Sequence, residues 1–146
     1  MEEKKNRESN HLATVAERLA ALSEEELAQK YAKIEQKLFE FANFMEAQLA
    51  FIYTPVSNEV PTEGIIKKTL QIEKGLALPV FTDAKNAINL YKISHFSKDL
   101  VSSDADILEP NPERCKKISL DEVDIAIIPG LAFDDKGGRI GFGNSY

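Results

Sequence analysis

The 146-residue sequence predicts an α/β layered domain with a largely parallel sheet flanked by helices, and three observations carry that expectation. Apolar residues recur at helical spacing over the opening stretch. Short, continuous apolar runs bounded by turn residues follow. Helical stripes and buried runs then alternate along the chain, as strands joined by covering helices require. No internal repeat or low-complexity linker interrupts them, so residues 1–146 read as one domain.

The first helix is carried by Leu12, Val15, Leu19 and Leu22, spaced by threes and fours on one face. Ser23 with Glu26 matches a capping box, in which hydroxyl and carboxylate satisfy N–H groups at a helix start. Leu27, Tyr31, Ile34, Leu38, Phe41 and Met45 then repeat in steps of four and three. A strict seam of that kind suits a coiled coil, but Phe39 and Ala42 widen the stripe and favour packing on a sheet. Leu49-Ala50-Phe51-Ile52-Tyr53 reads as a strand buried on both faces. Pro61 is placed to start a third helix through Ile65, Ile66 and Leu70, with Gly75 as its left-handed terminator. Leu76 to Phe81 and Ile88 to Ile93 are further strands, the former an edge or terminating strand because of Pro79. Asp124 to Gly130 is the clearest strand, stopped by Pro129-Gly130.

Composition narrows the function. Hydrophobic residues at 43% and charged residues at 29% describe a globular chain. A net charge of −6 argues against a nucleic-acid footprint, which needs a basic face. No apolar run approaches a membrane span, and Met1 to Glu8 is too charged for a signal peptide. Cys115 is the one cysteine, so no internal disulfide forms, and a reducing, cytoplasmic setting is expected. Arg114 and Lys117 would lower its pKa if it is exposed; the plainer reading is an inert thiol in a connection. An anionic ligand would meet a repulsive overall field, so the cations that matter should sit at the site itself, within about 8 Å at physiological salt.

Ligands of open α/β sheets bind beyond the carboxyl ends of the strands. Two such ends are chemically loaded. Along Tyr53 to Thr62, Glu59 follows a strand and precedes a helix. Its carboxylate can accept paired hydrogen bonds from an amino-pyrimidine, or it can simply be an acid at a helix start. Along Pro129 to Tyr146, glycines allow backbone N–H groups to converge on an anion, with Lys136 and Arg139 supplying charge. Asp135-Lys136-Gly137-Gly138 would equally serve as a plain turn.

Pro129-Gly130-Leu131-Ala132-Phe133-Asp134, a short glycine turn, Arg139-Ile140-Gly141-Phe142-Gly143 and Tyr146 together resemble the diagnostic motif of the 5-formyltetrahydrofolate cyclo-ligase (methenyltetrahydrofolate synthetase) family. Ile107-Leu108-Glu109-Pro110 resembles its Glu-Pro connection, and Glu59-Val60 with Thr62 its Glu-Val-x-Thr segment. Leu22 to Glu26 resembles its early Leu-Ser-x-Glu-Glu stretch, so nearly the whole chain is covered. The resemblance implies an open, Rossmann-like fold and a ligase that uses ATP and Mg2+ to close 5-formyltetrahydrofolate to 5,10-methenyltetrahydrofolate, releasing ADP and phosphate. It further implies that ATP phosphorylates the formyl oxygen, after which the folate N10 attacks the formyl carbon.

By the same resemblance, Glu59 binds the pterin end of the folate and Thr54 lines that pocket. Gly141, Phe142, Gly143, Asn144, Ser145 and Tyr146 match the ATP loop, with Tyr146 and Arg139 beside the chemistry. The family also uses an N-terminal Lys and Arg. Counting back from Leu22-Ser23 puts Glu8 and Leu12 there, leaving Lys4, Lys5 and Arg7 as stand-ins if the helix start is shifted. Phe142, Asn144 and Ser145 also depart from a loop that often reads Gly-Arg-Gly-Gly-Gly-Tyr. Family sequences continue past the position of Tyr146 into Tyr-Asp-Arg, whose Asp is tied to magnesium, and then into further strand and helix. The final elements are therefore expected to be missing, no magnesium ligand is assigned, and low solubility or self-association is expected. The departures also suit a relative that binds folate or nucleotide without turnover. A partner-binding module built on the long helical seam is a third reading.

Overall fold

The computed structural model describes residues 2–56, 59–82, 87–103 and 107–141, with backbone alone over 2–9. Its elements run α1 (Glu2–Ala20), α2 (Glu24–Glu40), α3 (Ala42–Glu46), β1 (Leu49–Ile52), α4 (Glu63–Gln71), β2 (Gly75–Phe81) and β3 (Ile88–Ile93). Then follow α5 (Phe96–Asp99), β4 (Leu100–Ser102), β5 (Leu108–Pro110), β6 (Lys116–Ile118), a 3-10 turn (Leu120–Glu122), β7 (Ile125–Ile127), β8 (Ala132–Phe133) and β9 (Arg139–Ile140).

Five strands form the central sheet in the order β6-β3-β2-β1-β7. β1 is parallel to both neighbours, with Leu49 opposite Gly75 and Ala50 opposite Ile125. β3 is antiparallel to β2 and to β6, so it alone is reversed and the sheet is largely parallel, as expected. Its reversal follows from chain length, because only residues 82–87 join it to β2 and a parallel crossover needs about a dozen residues or more. β4 with β5 and β8 with β9 form two separate hairpins.

The core lies on one face of this sheet. Ala50, Ile52, Leu76, Leu78 and Ile93 pack there with Phe44, Ile65 and Ile66 from α3 and α4. Ala77, Leu90 and Ile118 form a smaller cluster on the other face, edged by Leu49, Phe51 and Ile88. Each fully buried Leu or Ile side chain contributes about 1.5–3 kcal/mol, so the first cluster dominates the stability.

Several sequence expectations are refined. The capping box at Ser23 is present: the Glu26 N–H donates to the Ser23 hydroxyl at 3.2 Å, and the Ser23 N–H donates to the Glu26 carboxylate at 2.9 Å. Leu12, Val15 and Leu19 are half-buried, matching the predicted stripe. The second helix, however, breaks at Phe41, whose extended backbone rotates the chain before α3 restarts. Phe44 therefore points into the core, while Ile34, Phe41 and Met45 of the expected seam remain 44%, 49% and 43% exposed. The third helix begins at Glu63, two residues after Pro61, and the left-handed position after it is taken by Glu73 at φ 57°, not by Gly75. Gly75 serves a different need: a Cβ there would lie 2.5 Å from the Gln48 carbonyl oxygen, which accepts the Gly75 N–H.

β2 is central, not an edge. Its N–H groups alternate: Gly75 donates to Gln48 and Phe81 to the Glu109 carboxylate on one side, while Thr82 donates to Ala87 on the β3 side. Pro79 shares the parity of Gly75 and Phe81, and it lies beyond the last β1 pairing at Ala77, so its missing N–H costs no ladder bond. β1 is fully buried on one face only, because Leu49 and Phe51 are merely half-covered on the other. β7 spans three residues in place of the seven expected and is paired on one side only among the described residues.

Candidate functional site

The segment after β1 is closed on itself by hydrogen bonds. The Tyr53 hydroxyl donates to the Val60 carbonyl at 2.7 Å, and the Thr62 hydroxyl donates to the Tyr53 carbonyl at 2.9 Å. Thr62 precedes α4, and because its hydroxyl is used this way it does not cap the helix. Within the loop, the Val56 N–H donates to Glu59 Oε2 at 3.0 Å and the Glu59 N–H to the Val56 carbonyl at 3.2 Å. Glu59 is half-buried, and a carboxylate offers about four acceptor positions, so this bond leaves capacity for a ligand. Burial, then the Glu59 charge and Tyr31, push the Tyr53 hydroxyl well above its ordinary pKa and keep it a neutral donor.

Thr54 is 4% exposed, and its hydroxyl has no hydrogen-bond partner among the described residues. Buried polar atoms are rarely left in that state.

The second loaded segment is a hairpin. Asp134 Oδ1 accepts from the Lys136 N–H at 2.9 Å and the Gly138 N–H at 2.6 Å, and Gly137 turns the chain at φ 85°. Residues 135–138 are thus the plain turn that was the alternative reading. Arg139 follows on β9, where its Nη1 donates to the Pro129 carbonyl at 2.7 Å, which leaves further guanidinium donors.

These segments meet at one cleft of about 330 Å³, beyond the carboxyl ends of β1, β2 and β7. Thr54, Glu59, Arg139 and Gly141 all line it, although Thr54 and Gly141 are far apart in sequence. Lys136 does not. Lys4, Lys5 and Arg7 lie on α1 with side chains outside the described residues, and Phe142, Gly143, Asn144, Ser145 and Tyr146 lie outside them altogether. Sequence reasoning overlooked the apolar walls, chiefly Phe51, Pro79, Phe81, Ile88 and Ile107, and it gave Tyr53, at the head of the loaded segment, no role of its own. Leu49-Ala50-Phe51-Ile52 is apolar throughout, so the sequence carried no signal that separates the half-exposed, cleft-facing side of β1 from its buried side. Glu109 of the Glu-Pro connection does not line the cleft; it anchors the end of β2 through the Phe81 N–H at 3.2 Å.

Among the described residues, no three His, Cys, Asp or Glu side chains gather as a metal cluster. Cys115 is buried, and burial followed by the Asp99 charge raises its pKa, so its cationic neighbours do not activate it. No helix of the described residues is long and apolar enough to cross a membrane.

A family model described as the 5-formyltetrahydrofolate cyclo-ligase family matches residues 2–146. A Caenorhabditis elegans protein named as a probable 5-formyltetrahydrofolate cyclo-ligase is 29% identical over 133 residues, which cover 88% of this chain and 64% of that protein. The Arabidopsis thaliana protein named 5-formyltetrahydrofolate cyclo-ligase, mitochondrial, is 32% identical over 148 residues, 92% of this chain and 53% of its own length. The present chain therefore spans less than two thirds of either relative. The NMR structure of an Aquifex aeolicus 5,10-methenyltetrahydrofolate synthetase superimposes with a TM-score of 0.78 at 29% identity, covering 95% of this chain and 69% of that one. With the family model spanning the fold and the cleft alike, the chain belongs to the 5-formyltetrahydrofolate cyclo-ligase family.

Proposed function

We propose that the cleft binds 5-formyltetrahydrofolate and that the chain acts in its ATP-dependent closure to 5,10-methenyltetrahydrofolate, with release of ADP and phosphate. The observation that carries this reading is the convergence of Glu59, Thr54, Arg139 and Gly141 on one cleft with apolar walls. Glu59 accepts hydrogen bonds from the amino-pyrimidine edge, while Phe51, Phe81 and Ile88 cover the faces of the bicyclic head. The formyl oxygen takes the γ-phosphoryl group of ATP as ADP departs. N10 then attacks the formyl carbon, the carbon–oxygen bond to phosphate breaks, and the N10 proton passes to solvent. Holding these atoms in line accounts for most of the rate, and Arg139 stabilises charge on the transferring group. The ATP loop from Gly141 to Tyr146, with Tyr146 near the chemistry, enters on its motif alone, as do Lys4, Lys5 and Arg7 for the phosphates. Magnesium belongs to the family pattern; its ligands are unassigned and no step is routed through it.

Calorimetry with 5-formyltetrahydrofolate, paired with phosphate release in the presence of ATP, tests the proposal. Glu59→Ala is expected to weaken folate binding by about 10- to 100-fold, the loss of a charge-assisted hydrogen bond. Unchanged affinity in that variant overturns the role of Glu59. A second reading, a relative that binds without turnover, is favoured by Leu12, a half-buried packing residue where the family places a cation. Folate binding with no phosphate release would select it. The cytoplasmic setting belongs to the same proposal; the mitochondrial name of the A. thaliana relative supplies the contrasting outcome for imaging a tagged protein.

A further inference from the structure

We infer that Tyr53 is a positioning residue for Glu59, holding the carboxylate-bearing loop in its binding geometry through the hydrogen bond to Val60. The inference rests on the folate reading above. Glu59 is borne by a tight turn, closed by its own N–H to the Val56 carbonyl at 3.2 Å. Upstream it leaves β1, and downstream it enters α4. Across its mouth lie two clasps: Tyr53 to Val60 at 2.7 Å, and Thr62 to Tyr53 at 2.9 Å. Both converge on Tyr53, which is 8% exposed, so the anchor is buried while Glu59 lines the cleft.

Tyr53 also lines the cleft, and its hydroxyl is engaged by a backbone acceptor, the Val60 carbonyl. The ring therefore supplies wall and the hydroxyl supplies position, and the two roles are separable. Glu59 lies close enough for its charge to raise the Tyr53 pKa, which keeps the clasp protonated. A looser loop would leave Glu59 with more orientations to lose on binding, a cost borne by affinity.

Tyr53→Phe removes the hydroxyl and keeps the ring. In the unliganded full chain, hydrogen exchange at the Val56 and Glu59 amides is expected to accelerate, while the β2–β3 amides stay unchanged. The dissociation constant for 5-formyltetrahydrofolate is expected to rise about three- to tenfold, the loss of one neutral hydrogen bond. In a Glu59→Gln background the same change should cost nothing further, because Tyr53 acts through Glu59. Thr62→Val, which cuts the other clasp, should reproduce the pattern and serves if Tyr53→Phe folds poorly. Unaltered amide exchange, unaltered affinity, or an equal loss in both backgrounds overturns the inference. If the unaltered chain binds no folate, the proposed function fails, and amide exchange alone then decides whether the clasp holds the loop.

Discussion

At the scale of single residues, burial decides which side chains are inert and which are poised. Thr54 keeps a hydroxyl without a partner among the described residues at 4% exposure. Thr54→Val preserves shape and removes the unmet polar group, so it should raise folding stability by about 1–2 kcal/mol. A denaturant melt that shifts the other way would mean the hydroxyl is satisfied in solution. Cys115 should react with an alkylating reagent far more slowly at neutral pH in the folded chain than in denaturant, because burial holds the thiol protonated. Equal rates would place it at the surface. Glu59 and Arg139 were singled out by charge and by their place beyond strand ends, and Thr54 by the family resemblance; the three line one cleft. Tyr53 was not singled out, because its role depends on a carbonyl seven residues away that becomes its neighbour only when the loop closes.

At the scale of elements, local signals that act within one turn of helix were readable, and those that depend on a neighbouring strand were not. The capping box at Ser23 is of the first kind. Ser23→Ala should destabilise the fold by about 1 kcal/mol. Hydrogen bonds from the Ser23 backbone and side chain hold the Glu26 carboxyl below its ordinary value of 4.5. A lowered folded-state pKa means this contribution is present above about that pH and fades as pH falls through the folded value. Titrating stability from pH 7 downward in wild type and Ser23→Ala checks the sign, for the gap between them should narrow in acid. Gly75 is of the second kind. Gly75→Ala would drive a Cβ against the Gln48 carbonyl, and a loss of about 1–3 kcal/mol is expected on thermal melting. Periodicity offered Gly75 as a helix terminator, because nothing local announces how closely β1 approaches.

At the scale of the whole molecule, stability is uneven. α2 buries no residue, and α1 offers at most half-buried positions from residue 10 onward, whereas β1, β2 and α4 enclose the main core. Hydrogen exchange should therefore be fastest in α1, α2 and the β8–β9 hairpin and slowest in β1 and β2. Uniform protection would show that the helices are covered more tightly in solution. Leu120, Ile128 and Phe133 are 68%, 53% and 67% exposed, and the outer side of β7 is unpaired among the described residues. Concentration-dependent association in sedimentation is expected from that surface.

The alternation of stripes and runs determined, without any structure, that the chain forms helices over a largely parallel sheet, and its terminal motif determined the family. Periodicity and motif are written in neighbouring residues, so both survive in one dimension. Tertiary structure alone decided that β3 runs backwards, that β2 with Pro79 sits at the centre, and that α2 breaks to aim Phe44 inward. It also decided that Glu59 and Arg139 share a cleft whose walls are ordinary core residues. Those outcomes depend on contacts between segments far apart in the chain, and an apolar side chain looks the same in sequence whether it faces a core or a ligand.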